Sequence, residues 1–136
     1  MIMAEQRQQI VDYGMKMIQS GLTTGSGGNL SILCRETGLV AIGPSGIDYA
    51  DVSSKHIVIV DLDGQQVEGC RKPSSELNFH LALYKARPDV AAVVHTHSVY
   101  ATTMACLHWE IPAVHYLVAF SGEKVPLAEY ATFGSP

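Results

Sequence analysis

Asp89-Val90-Ala91-Ala92-Val93-Val94-His95-Thr96-His97-Ser98-Val99-Tyr100 is the stretch on which the fold turns. After the break Arg87-Pro88-Asp89, Ala91 to Val94 form a short uninterrupted apolar run, the pattern of a strand covered on both faces. His95 and His97 continue that strand. Side chains at i and i+2 of a strand project to one side, whereas a helix would turn the same pair well apart. Two imidazoles presented together suit a transition metal. A histidine beside a core strand is also commonly a hydrogen-bonded structural residue, so the spacing alone leaves both readings open.

Upstream, Leu77, Leu81 and Tyr84 recur at helical spacing and predict a helix over Ser75 to Ala86, closed by Pro88. Lys72-Pro73-Ser74-Ser75-Glu76 leads into it, with Ser74 or Ser75 as N-cap and Glu76 suited to the positive helix end. Free N–H groups and two hydroxyls at such a start also make an anion site, and both roles can be filled together. Further back, Ile57 to Leu62 reads as a strand, and Asp63-Gly64 signals a hairpin to a partner over Gln65 to Val67. Glu36-Thr37-Gly38 turns Leu30 to Cys34 back onto Leu39 to Ile42, a second hairpin. Gly43-Pro44-Ser45-Gly46 is a turn that again offers glycine backbone and a hydroxyl. The first half is thus mainly antiparallel sheet.

Ala4 to Ser20 predicts an amphipathic helix with Ile10, Val11, Gly14, Met17 and Ile18 along one stripe and Gly21 as its stop. The run Thr23-Thr24-Gly25-Ser26-Gly27-Gly28-Asn29 follows that helix and leads into a strand. A dinucleotide-binding glycine loop has the opposite order, so a Rossmann reading is disfavoured. The loop can bind an anion through converging N–H groups, with Ser26 and Asn29 as side-chain donors, or serve as a plain connector. Beyond the histidines, Ser98 to Leu107 reads as a helix, Ile111-Pro112 breaks it, and Val114 to Phe120 and Val125 to Tyr130 read as strands. Residues 131–136 have loop composition.

With 136 residues, 47% of them apolar and 16% charged, the chain fits one domain that buries its own core. The net charge of -4 gives no basic footprint for nucleic acid. Cys34, Cys70 and Cys106 are odd in number and far apart, which indicates neither a disulfide framework nor a thiolate zinc site. Glu5, Arg7, Asp12 and Lys16 interrupt the first twenty residues, so these form neither a signal peptide nor a membrane span. A cytoplasmic protein is expected, with no membrane partner.

Four motifs together carry a resemblance: Gly25-Ser26-Gly27-Gly28-Asn29-Leu30-Ser31, Gly43-Pro44-Ser45-Gly46, Lys72-Pro73-Ser74-Ser75-Glu76 and His95-Thr96-His97-Ser98. In this order and spacing the chain resembles the class II aldolase/adducin family. Ile111-Pro112-Ala113-Val114-His115-Tyr116 and Tyr130-Ala131-Thr132-Phe133-Gly134 extend the resemblance over nearly the whole sequence.

The resemblance implies an α/β fold with a central, mainly antiparallel sheet flanked by helices, and a homotetramer with active sites between subunits. It implies that His95 and His97 bind zinc, or another divalent transition metal. Glu76 would approach the metal in the empty site and act as acid/base when substrate arrives. Gly28, Asn29, Ser45, Gly46, Ser74 and Ser75 would hold the substrate phosphate, and Tyr116 would reach a neighbouring subunit's site as a proton donor. The implied reaction is retro-aldol cleavage of a ketose 1-phosphate, similar to L-fuculose 1-phosphate, to dihydroxyacetone phosphate and an aldehyde.

Family enzymes carry a third zinc histidine beyond the point where this sequence ends. A single domain over residues 1–136, incomplete at its C-terminus, is therefore expected, or else His115 or Glu76 completes a poorer site. Sugar-phosphate 4-epimerases of the family resemble this chain but have aspartate where Glu76 stands. A methylthioribulose-phosphate dehydratase and a decarboxylase of oxo-acid phosphates are other relatives. A non-catalytic adducin-like module would not be expected to keep Glu76, His95 and His97.

Overall fold

A computed structural model describes residues 1–132, in two compact units that divide between Thr96 and His97. The expected motif residues Phe133 and Gly134 lie outside the described residues.

In the first unit, α1 (Ala4–Gln19) precedes β1 (Asn29–Cys34), β2 (Leu39–Ile42), β3 (Val58–Asp61) and β4 (Gln66–Glu68). Then come α2 (Leu77–Ala86) and β5 (Ala92–His95). The strands pair in the order β4-β3-β2-β1-β5, every pair antiparallel. The two expected hairpins form within a residue or two of the expected ends. At the second, Asp61 accepts from the N–H groups of both Asp63 and Gln65, which closes the turn on its own strand.

Alternation along the strands divides the core into two layers. Leu33, Val40, Ile42, Val58, Val60 and Val93 face α2, where Leu77, Leu81 and Tyr84 meet them. Leu30, Ala41, Ile57 and Ile59 face the other way, toward Ile10 and Met17 of α1 and toward Tyr49. Central strands covered on both faces must be apolar at every position, which is why β2 and β3 read as unbroken hydrophobic runs. α1 ends in a Schellman motif: Leu22 N–H reaches the Met17 carbonyl and Gly21 N–H that of Ile18, both at 3.0 Å, with Gly21 at φ 67°. Gly14 faces Tyr49 so closely that a Cβ there would enter the ring.

Several expectations are corrected. β5 is an edge strand with only Val93 buried, while Ala92 and Val94 are exposed, so it is covered on one face rather than two. It also ends at His95, leaving His97 outside the strand. α2 begins at Leu77, two residues late, because Ser74 is spent on a turn: its hydroxyl accepts from Glu76 N–H at 3.2 Å and its carbonyl from Leu77 N–H at 3.1 Å. In the second unit α3 (Val99–Cys106) forms as expected, with the Ser98 hydroxyl capping Ala101 N–H. Val114 to Phe120 is not a strand; Tyr116–Ser121 is a 3-10 turn, capped by His115, whose Nδ1 accepts from Leu117 N–H. Val125 to Tyr130 yields a single bridge, Val125 to Ile111. Apolar runs without a neighbouring strand to pair with do not become strands.

One core residue runs against its type. Arg7 is 1% exposed, on the inner face of α1. Its guanidinium donates to the carbonyls of Ile57, Ser54 and Ile2 and to Glu68 Oε1 at 3.0 Å. It thereby ties α1 to the end of β4 and to the segment before β3. Arg7→Met keeps the volume but strips these carbonyls of their donor, and should cost about 2–4 kcal/mol. A urea unfolding midpoint unchanged from the parent would show the arginine to be dispensable.

Candidate metal centre

The site is built where the start of β1, the end of β5 and the start of α2 come together. Antiparallel pairing of β1 with β5 sets Asn29 opposite His95. Gly28, just before, adopts φ 65°, and a Cβ there would run into the carbonyl oxygen of His95. Only glycine fits this approach. The Tyr49 hydroxyl donates to the Gly28 carbonyl at 3.1 Å from within the α1-side core, so the turn is held from behind. Burial, with Glu76 nearby, pushes the Tyr49 phenol up to about 12, keeping it a donor.

Glu76 lies one residue before α2, and its Oε2 is 3.5 Å from His95 Nε2. The Asn29 side-chain amide donates to that same Oε2. Phe79, one turn into α2, sets its ring edge-on to His95 with centroids 5.3 Å apart. One ligand atom each from Glu76, His95 and His97 lies within 4.8 Å of the others. A carboxylate and two imidazoles so spaced need to close only slightly around an ion with bonds of about 2.0–2.2 Å, and they are the N/O donor set of catalytic zinc sites. The residues present therefore fit a divalent transition metal. What gathers them is not the shared strand face, since His97 lies past β5. Glu76, brought in by α2, is the third member of the group.

The phosphate candidates fall in two loops held side by side. Ser45 N–H donates to the Lys72 carbonyl and Ser74 N–H to the Gly43 carbonyl, both at 3.0 Å, with Pro44 bridged to Pro73. Gly43 N–H donates to the Leu30 carbonyl at 3.2 Å, which anchors this pair of loops to β1. Ser45, Gly46, Ser74 and Ser75 thus belong to one loop pair, and Gly28 and Asn29 to the turn beside His95. Tyr116 stands in the second unit, 76% exposed, with its ring against His115 at 4.5 Å between centroids.

Three residues bearing on the site escape a sequence reading. His80 is fully buried one turn after Glu76, and its Nε2 bonds to the Asn29 side-chain oxygen Oδ1. Its Nδ1 is 2.7 Å from Ser31 Oγ, which is 2.7 Å from the Tyr84 hydroxyl. Burial holds His80 near a pKa of about 4, the positive tendency of His95 adding to this and Glu76 opposing it. Glu76, His80 and Tyr84 stand four apart, as do neighbours on one helix face, and Asn29 and Ser31 stand two apart, as do neighbours on one strand face. That pair of spacings is the signal by which the group could be found.

The sequence profile described as Class II Aldolase and Adducin N-terminal domain matches residues 8–136. The chain belongs to the class II aldolase and adducin family. It is 56% identical over 135 residues to 5-deoxy-D-ribulose 1-phosphate aldolase of Bacillus thuringiensis serovar kurstaki, covering 99% of this chain and 63% of that protein. It is 43% identical over 129 residues to L-fuculose phosphate aldolase of Escherichia coli K12, covering 94% of this chain and 59% of that protein. Among solved structures, an L-fuculose 1-phosphate aldolase superposes with a TM-score of 0.92 at 46% identity, over 96% of this chain and 62% of that one. The chain thus spans about three fifths of the length of these relatives. Its sheet and flanking helices are those of the family fold.

Two outcomes test the geometry. Gly28→Ala adds a methyl against the His95 carbonyl at a positive φ, and should destabilise the protein by about 1–3 kcal/mol. It should weaken retention of added zinc as well; a variant with the parent's melting temperature and zinc content would refute the close-approach argument. His80 has a folded pKa of about 4 against an ordinary 6.5, so the unfolded chain takes up its proton first. Its contribution is complete above about pH 6.5 and is lost as pH falls toward 4, roughly 3 kcal/mol in all. Urea midpoints of the metal-free protein between pH 7 and pH 4.5 should therefore fall less steeply in His80→Gln than in the parent.

Proposed function

We propose that the protein carries out a metal-dependent retro-aldol cleavage of a ketose 1-phosphate, with L-fuculose 1-phosphate as the leading candidate, giving dihydroxyacetone phosphate and an aldehyde. The observation that carries this reading is the Glu76 carboxylate, set 3.5 Å from His95 and held by Asn29 at the mouth of two glycine- and serine-bearing loops. An acid/base, metal donors and anion-binding backbone meet at one end of one sheet. A metal aldolase needs each of them.

His95, His97 and Glu76 would hold the ion, which when bound supplies Lewis-acid stabilisation of the negative charge that develops on an enediolate. In the direction of synthesis, Glu76 takes the proton from the carbon alpha to the carbonyl of dihydroxyacetone phosphate. That carbon then forms its bond to the aldehyde carbon while a tyrosine, Tyr116 of a neighbouring subunit in this reading, gives its proton to the aldehyde oxygen. Cleavage runs the same steps in reverse. Ser45, Ser74 and Ser75, with the backbone of Gly28 and Gly46 and the amide of Asn29, take the phosphate through neutral donors and so fix the substrate against Glu76. A chain with few basic residues is consistent with that choice. The homotetramer and a cytoplasmic location belong to the same proposal.

A second substrate is favoured by a particular similarity: the relative at 56% identity is named for 5-deoxy-D-ribulose 1-phosphate. Both sugars share the dihydroxyacetone phosphate half that the loops would grip, and differ only in the aldehyde. A panel of ketose 1-phosphates, assayed with and without chelator on the full-length protein, separates them. Cleavage that survives complete metal removal would sink the metal-dependent reading. Glu76→Gln should keep the fold and lose about 10²–10⁴-fold in turnover. His95→Ala with His97→Ala should abolish zinc retention; stoichiometric zinc in that double variant would mean that other residues bind it.

A further inference from the structure

We propose that His80 is a positioning residue: backed by Ser31 and Tyr84, its Nε2–H holds the Asn29 carboxamide with the NH2 group turned toward Glu76. The inference rests on reading Glu76 as the acid/base.

An ionised carboxylate only accepts hydrogen bonds, so Asn29 must present its NH2 group to Glu76 Oε2. Its carbonyl oxygen then faces His80 Nε2 and can only accept, which requires the proton of the neutral imidazole to sit on Nε2. Nδ1 is therefore bare and accepts from the Ser31 hydroxyl at 2.7 Å. Ser31 Oγ in turn accepts from the Tyr84 hydroxyl at 2.7 Å. Each donor points the same way, from the α2-side core toward Glu76. With the opposite tautomer, His80 would offer Asn29 a lone pair, the carboxamide would turn over, and its oxygen would confront the carboxylate.

Burial makes this direction consequential. His80 is fully buried, Ser31 is 1% exposed and Tyr84 2%. No water competes for these bonds, so an imidazole of the wrong tautomer leaves polar atoms unpaired at full cost. Asn29 in turn fixes the carboxylate oxygen that also faces His95, and a base held in one orientation avoids reorganising when the proton moves. His80 touches no reacting atom in this scheme. It acts through Asn29.

The test uses the metal-loaded full-length protein and three readouts. Nitrogen-15 spectroscopy of the imidazole should find the Nε2–H tautomer of His80 at pH 7; an Nδ1–H or doubly protonated ring overturns the proposal. His80→Met fills the space without a donor and should lower kcat about ten- to a hundredfold, the loss expected for a hydrogen bond acting on a charged group, while His80→Gln, which restores an N–H, recovers most of it. In a Glu76→Gln background His80→Met should change the residual rate less than about twofold, because the positioned group is gone. Additive losses in that cycle, or a folded His80→Met with parental kcat, refute the role. Should His80→Met fail to fold, the tautomer and the Gln variant decide. A parent protein that cleaves no ketose phosphate would defeat the aldolase reading, and the tautomer measurement would still judge the direction of the chain.

Discussion

The hydrogen bond from Asn29 to Glu76 is the contact on which the arrangement depends. Asn29 opens β1, the strand paired on one side with β2 and on the other with β5. Glu76 stands at the entrance to α2. One carboxamide thus joins the sheet to the helix at the point where both offer chemistry, and its register partner across the ladder is His95. Remove the amide and the carboxylate faces His95 without the donor that sets the angle of its Oε2. Gly28 belongs to the same constraint, because the strand can begin so close to His95 only where no side chain intervenes.

Below this contact the interface between β1 and α2 is graded. On β1 the residues turned to α2 are Asn29, Ser31 and Leu33; on α2 the facing stripe is Glu76, His80 and Tyr84, with Leu77 and Leu81 beside it. The two stripes close polar to polar near the site and apolar to apolar further along. Among the described residues no buried side-chain nitrogen or oxygen lacks a partner, so the polar part is a fully satisfied network rather than a defect in the core. On the other side of the sheet the corresponding β1 residue, Leu30, packs in a cluster with Ile10, Met17 and Tyr49. The two faces of β1 thus differ: the α2 side carries the polar chain to Glu76, and the α1 side is mainly apolar packing from which the Tyr49 hydroxyl reaches the Gly28 turn.

This grading explains what could be read from the sequence. The hairpins were legible because Asp63-Gly64 and Glu36-Thr37-Gly38 are local signals between apolar runs, and α1 because its stripe is uniform. Glu76, His95 and the serine loops could be named as candidates because ordered motifs mark them. His80 was not, since Leu77, Leu81 and Tyr84 already gave α2 an apolar face and a histidine among them looks incidental. Arg7 escaped for the same reason: its charge reads as solvated, and acceptors distant in sequence, the carbonyls of Ser54 and Ile57 and the Glu68 carboxylate, are what make a buried guanidinium stable. The apolar runs at Val114 and Val125 read as strands because composition reports hydrophobicity and not whether a partner strand is present.

In the proposed reading a sugar phosphate is held without a cationic clamp. An arginine or lysine beside Glu76 would attract the phosphate, but it would also pair with the carboxylate and compete with its role as a base. Neutral donors avoid the conflict. The hydroxyls of Ser45, Ser74 and Ser75 and the Gly46 backbone would hold the anion, since the Ser45 and Ser74 N–H groups already donate to the Lys72 and Gly43 carbonyls, and none of these donors would pair with Glu76 as a fixed cation would. The same economy favours Asn29 over a basic residue as the partner of Glu76, and it makes the direction of the amide matter. A lysine would donate however it was turned, whereas a carboxamide donates only when something behind it fixes which end faces forward.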